Sequence, residues 1–215
     1  MIRSFVAIDL SDSAKEVLEE VGQRLRSQAP HKCVRWSRVT AVHLTLKFLG
    51  DVAEADLPEI KDVLAQVARR HVPFTFTIGG LGCFPNVKRP RVVWVGVQEE
   101  TGALAALQRD VEKNLVPLGF EPEKRAFHPH LTLGRTRRNA RPADRRRLGE
   151  IVVEAGVGEL SRVHVESFRL MRSDLRPDGA VYTPLAVFDL TTDHTATDSP
   201  ALHPQRGASD MDFTD

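Results

Sequence analysis

The sequence predicts an α+β fold: a duplicated, pseudo-twofold, bilobal arrangement of antiparallel sheets flanked by helices, with a groove between the lobes. Three observations carry this. His-Leu-Thr-Leu occurs twice, at 43–46 and 130–133, where background composition would place a second copy behind another histidine roughly a few times in a thousand. A shift by the 87 positions between the copies lays Phe5-Val6-Ala7-Ile8 on Val92-Val93-Trp94-Val95. Each half also follows the same order of strand, helix, strand, helix, strand.

In the first half, 4–10 alternates as a strand, and Ser11-Asp12-Ser13 signals the start of a helix over 14–26. A Pro-containing loop leads to a β-rich strand over 39–49 that holds the first motif, and Gly50-Asp51 is expected to break it. A second helix spans 54–70, with Leu57, Ile60, Val63, Leu64 and Val67 at helical spacing, and a strand spans 73–78 with Phe74, Phe76 and Ile78 alternating against threonines. Gly79-Gly80-Leu81-Gly82 reads as a turn between the halves. The second half gives a strand over 91–97, a helix over 101–115, the second motif strand over 127–133, a helix over 142–155 and a strand over 161–170. A further strand over 181–190 has no counterpart in the first half. The repeats therefore cover about 1–80 and 91–190 of one domain over 1–190, and 191–215, rich in Asp, Thr, Ser, Pro and Ala, reads as a disordered tail.

Composition narrows the function classes. The net charge of +1 argues against a bulk polyanion binder, and no apolar stretch approaches membrane-spanning length. The N-terminus does not read as a signal peptide. The two cysteines, Cys33 and Cys83, lie outside any paired motif, as expected of thiols in a reducing compartment. A cytoplasmic monomer is the expectation. Charge is unevenly placed, however: 124–147 holds nine basic residues against the single Asp144. Such a run is often just a solvated face, but it follows the second motif directly and would attract phosphate.

In a strand, residues i and i+2 share a face. His43 and Thr45 therefore project together, as do His130 and Thr132, with Leu44, Leu46, Leu131 and Leu133 behind them. A lone histidine is more often structural than catalytic; two in equivalent repeat positions point to chemistry. Two imidazoles can act as base and acid near neutrality, which suits phosphodiester hydrolysis, and threonine hydroxyls can hold non-bridging oxygens. His128-Pro129-His130 has metal-ligand spacing, but no acidic partner lies nearby in sequence, so no metal and no cofactor are expected.

These residues resemble the 2H phosphoesterase superfamily. Within it, Trp36 and Val42-His43-Leu44-Thr45-Leu46-Lys47-Phe48-Leu49-Gly50 resemble the RNA 2′,3′-cyclic phosphodiesterases, also called bacterial 2′-5′ RNA ligases (ThpR/LigT type). The likeness continues through Gly82-Cys83-Phe84-Pro85, Arg89 to Gly96, Phe127 to Arg135, Ser173-Asp174-Leu175 and Gly179 to Tyr182, covering roughly 1–190. It implies metal-independent hydrolysis of 2′,3′-cyclic phosphate ends to 2′-phosphates, with His43 and His130 catalytic. It also implies that Thr45, Thr132 and Arg135 contact phosphate and that Phe48 stacks a nucleobase. Phe48 and Arg135 each stand five residues past their histidine. The partner is then RNA with a cyclic phosphate end or a cyclic nucleotide. Alternatives are 2′-5′ ligation by the reverse chemistry, action on ADP-ribose cyclic phosphate or another small cyclic nucleotide, and an RNA-end-binding module without turnover.

Overall fold

The structure, a computed structural model, describes residues 1–176 and 179–191. Nine strands and four helices follow one another: β1 (Ile2–Ile8), α1 (Asp12–Gln28), β2 (Val34–Trp36), β3 (Leu44–Val52), α2 (Leu57–Ala68), β4 (Phe74–Phe84), β5 (Val92–Gln98), α3 (Ala103–Leu115), β6 (His130–Thr136), α4 (Pro142–Ala155), β7 (Glu159–Val165), β8 (Ser167–Arg176) and β9 (Gly179–Asp189). The helices are amphipathic at the expected spacing. In α1, Ala14, Leu18, Val21 and Leu25 are buried, and the Ser11 hydroxyl caps the helix by accepting from the Ala14 N–H.

All strand pairs are antiparallel, in the order β7-β4-β5-β6-β3-β1-β8-β9, with β2 added to β6. This order is symmetric about the seam between β6 and β3. The seam is a single residue pair, Leu44 opposite Leu131, which are equivalent positions of the repeat, so the pseudo-twofold passes between them. The repeats do not segregate in space. β4, the last strand of the first repeat, pairs with β5 of the second, while β8 returns from the second repeat to pair with β1 of the first. The helices cross over likewise: α1 packs with α4 over β4 and β7, and α2 packs with α3 over β3, β8 and β9. Each half of the sheet is thus covered by one helix from each repeat, and the core between them is continuous.

Several local expectations are corrected. Gly79-Gly80-Leu81-Gly82 is not a turn but the middle of β4, where a bulge between Gly79 and Leu81 keeps the strand paired to β5. Gly50-Asp51 does not end its strand either; Gly50, at φ +75°, sits beside a register shift and β3 continues to Val52. Residues 39–41 form a 3-10 turn, so β3 begins at Leu44 and His43 stands one residue before it. The second motif strand likewise begins at His130 rather than at 127. The single strand expected over 161–170 is two, β7 and β8, parted at Glu166. β2 had no sequence signal. Apart from Thr191, whose N–H donates to the His71 carbonyl, the expected tail lies outside the described residues. Among the described residues no helix is long and apolar enough to cross a membrane.

Candidate active site

With Leu44 opposite Leu131 in an antiparallel pair, His43 stands across from Thr132 and His130 across from Thr45. Leu44 and Leu131 are both buried beneath the helices, so the two histidines and two threonines share the other face of the sheet. They form a diagonal quartet about the pseudo-twofold. In an ideal ladder such diagonal neighbours lie about 7–8 Å apart at Cα. A phosphoryl group can sit between the two imidazoles.

Strict alternation would place Phe48 and Arg135 on the opposite face from the histidines. Two bulges reverse this. β3 pairs with β1 as Ala7 to Thr45 and then Val6 to Lys47, leaving Leu46 as the extra residue. β6 pairs with β5 as Trp94 to Thr132 and then Val93 to Gly134, leaving Leu133. Leu46 and Leu133 are equivalent positions of the repeat. Past each bulge the side chains exchange faces, so Phe48 and Arg135 turn into the groove, where both are exposed, Phe48 at 67%. The residues in between turn inward. Lys47 is 5% exposed, and its Nζ meets the Glu112 carboxylate on α3 and the Glu121 carbonyl, the latter at 2.9 Å. Its counterpart is Gly134, where an added Cβ would lie 2.7 Å from Val34 Cγ1 and 2.9 Å from the Trp36 ring. β2 closes over β6 at that point.

Each imidazole is held in the same way. His43 Nδ1 lies 3.0 Å from the Ala41 carbonyl and His130 Nδ1 lies 2.7 Å from the His128 carbonyl. A carbonyl can only accept, so Nδ1 carries the hydrogen and Nε2 is left to exchange protons in the groove. The His128 side chain is exposed; its backbone oxygen, not its ring, serves the site.

The surroundings of the two rings differ. His43 stacks on Phe5 at 4.6 Å and takes the edge of Tyr182 at 5.0 Å. Phe5 lies 6.2 Å from Phe48, so this side of the groove is aromatic. His130 meets the edge of Phe84 at 4.8 Å, with Trp94 at 6.5 Å. Burial lowers the pKa of His43 to about 4, against weaker upward pulls from its carbonyl hydrogen bond and from Asp9. His130 is also lowered, chiefly by burial and further by the positive charge of Arg135. In the free protein both rings are therefore neutral at pH 7.

Phe5, Phe84, Trp94 and Tyr182 were not singled out by sequence, because they approach the histidines from β1, β4, β5 and β9 and only strand pairing brings them there. One symmetry links two of them. The pair Phe5–Met171 and the pair Val92–Phe84 are related by the repeat shift, and the aromatic member comes from opposite strands in the two halves. As for metals, among the described residues no three His, Cys, Asp or Glu side chains converge.

A family model of the 2′-5′ RNA ligase superfamily matches residues 12–176. An RNA 2′,3′-cyclic phosphodiesterase of Methanothermobacter thermautotrophicus is 36% identical over 189 residues, covering 88% of this chain and 99% of its own. Among solved structures, TT0787 of Thermus thermophilus superposes with a TM-score of 0.74 at 28% identity, over 89% of this chain and 100% of that one. LigT of E. coli, crystallised with 3′-AMP, does so with a TM-score of 0.68 at 25% identity, over 88% and 98%.

Proposed function

The chain belongs to the 2′-5′ RNA ligase superfamily, and from that premise we propose that it hydrolyses RNA or nucleoside 2′,3′-cyclic phosphate ends to 2′-phosphates. His43 and His130 serve as the acid/base pair, without metal or cofactor. The observation that carries this reading is the diagonal quartet: two imidazoles with identical backbone anchors, Nε2 free in each, set diagonally across one strand pair beside two threonines.

In the reaction a water oxygen attacks phosphorus while the bond from phosphorus to the ribose 3′-oxygen breaks. One imidazole takes the proton from water, and the other gives a proton to the departing 3′-oxygen. The product keeps its phosphate on the 2′-oxygen and gains a 3′-hydroxyl. The exposed Phe48 ring lies on the His43 side, which favours the nucleoside there by base stacking. His43 is then the acid to the ribose oxygen, and His130 the base to water. The acid must first gain its proton, and an anionic phosphate in the groove raises the pKa that burial has lowered. Thr45 and Thr132 donate to the non-bridging oxygens, and Arg135 adds a charge-assisted contact. The enzyme is taken to act as a cytoplasmic monomer; its two cysteines, Cys33 and Cys83, are buried free thiols.

The test is turnover of a nucleoside 2′,3′-cyclic phosphate in excess chelator, with the product phosphate located by phosphorus NMR. His43→Ala and His130→Ala should each lower the rate by about 10²–10⁴, and the double variant should lose little more than either. A single variant keeping more than about a tenth of the rate, or loss in chelator restored by one metal, would overturn the proposal. A 3′-phosphate product would overturn the assignment of the leaving oxygen.

A further inference from the structure

The internal duplication supplies its own control for surface charge. The connection that follows the second motif strand, 137–146, contains Arg137, Arg138, Arg141, Arg145 and Arg146 against Asp144 alone. The corresponding stretch 50–59, from the end of β3 into α2, contains Asp51, Glu54, Asp56 and Glu59 and no basic residue. The same scaffold position is thus strongly positive in one repeat and negative in the other, so the fold does not impose the charge.

The positive side is enlarged by the β4–β5 turn. There Asn86 Oδ1 accepts from the Lys88 and Arg89 N–H groups, each at 3.1 Å, so the turn is tight. Its far end is tied to β6: the Thr136 hydroxyl donates to the Pro90 carbonyl at 2.8 Å, and the Thr136 N–H donates to the Arg91 carbonyl at 3.0 Å. The turn also lies against α4, where a Cβ on Gly149 would collide with the Val87 carbonyl. Lys88, Arg89 and Arg91 are therefore brought beside Arg135, Arg137 and Arg138 at the end of β6. Arg145 Nη2 donates to the Arg137 and Arg138 carbonyls at 3.2 and 2.9 Å, which fixes that backbone while leaving both side chains exposed. Among the described residues none of these six basic side chains is in an ion pair, whereas Arg125 and Arg147, at the two ends of the basic run, are neutralised by glutamates.

We propose that this surface carries the sugar-phosphate backbone of the substrate RNA, which runs from the terminal nucleotide in the groove over the end of β6 and not past Asp51 and Glu54. The inference rests on the reading of the groove as a cyclic phosphodiesterase site. Arg135 links the two parts, since it points into the groove and begins the positive track. Arg137 lies five residues beyond Thr132, at most about 17 Å at the rise of a strand, just past the end of β6, so the track leads away from the groove towards nucleotides that a mononucleotide substrate lacks. Exposed cationic side chains spaced along a surface suit phosphates rather than base edges, so the contact is independent of sequence.

The test compares a nucleoside 2′,3′-cyclic phosphate with single-stranded oligoribonucleotides of increasing length ending in the same group. In the wild type KM should fall with length and rise steeply with salt. Arg137→Glu/Arg138→Glu should raise KM for the longer substrates about tenfold and leave the mononucleotide unchanged. With two phosphate contacts gone, the log–log salt slope should become shallower by about 1.4. Arg137→Lys/Arg138→Lys should keep the wild-type behaviour, because charge and not fork geometry is used. A KM independent of length in the wild type, or equal losses on both substrates in the charge-reversed variant, would overturn the inference. Failure of the wild type to turn over even the mononucleotide would overturn the activity instead.

Discussion

Acid should destabilise this protein through one side chain of the groove, by an amount set by how His43 is packed. The ring lies between Phe5 and Tyr182 with only Nε2 left for the groove, and its pKa in the folded protein is about 4 against about 6.5 in an unfolded chain. A depressed histidine stabilises the fold fully above the unfolded value, and this contribution is lost as pH falls through 6.5 towards 4, because the unfolded chain takes up the proton first. At 1.36 kcal/mol per pH unit the full displacement amounts to about 3 kcal/mol, an upper value because the ring keeps some contact with solvent. By pH 4.5 about 2.5 kcal/mol should already be gone, equivalent to about 5–10 °C in Tm for a domain of this size. Urea denaturation of the wild type and of His43→Gln at pH 7.5, 6, 5 and 4.5 isolates this contribution, because His130 and the carboxylates titrate in both proteins. Expected is a wild-type curve that falls more steeply below pH 6.5 and approaches the variant's by about 2.5 kcal/mol. Curves that stay parallel within about 0.5 kcal/mol would refute the burial argument.

Thr45→Ala and Thr132→Ala should each slow turnover by about tenfold or less, since one neutral hydrogen bond to phosphate is lost; Arg135→Ala should cost about 10–100-fold, having lost a charge-assisted one. Steady-state kinetics on a mononucleotide substrate checks the order, and three equally harmless substitutions would mean that the quartet faces away from the phosphate. Phe48→Ala should raise KM about 5–100-fold, the worth of one stacked base, with no loss of thermal stability because the ring is 67% exposed. A marked drop in Tm in that variant would instead assign Phe48 to packing.

The duplication, the helices and the two His-x-Thr pairs were legible along the chain. Hydrophobic period and a repeated tetrapeptide are local properties, readable wherever they occur. Side-chain alternation also put His43 beside Thr45 and His130 beside Thr132 correctly, because only one residue separates the members of each pair. Strand limits were less legible: Gly79 to Gly82 and Gly50 look like chain breaks, yet bulges let both strands continue in pairing. That β4 and β8 each cross to pair with a strand of the other repeat emerges only in three dimensions. The exchange depends on which edge each strand finds, and no residue encodes it alone. It is also what surrounds His43 and His130 with aromatic rings from distant strands. The faces of Phe48 and Arg135 show the same limit. Counting along the strand would aim both into the core, and the extra residues at Leu46 and Leu133 turn them into the groove. A bulge is a mismatch between two strands, so it exists only once the partner strand is in place.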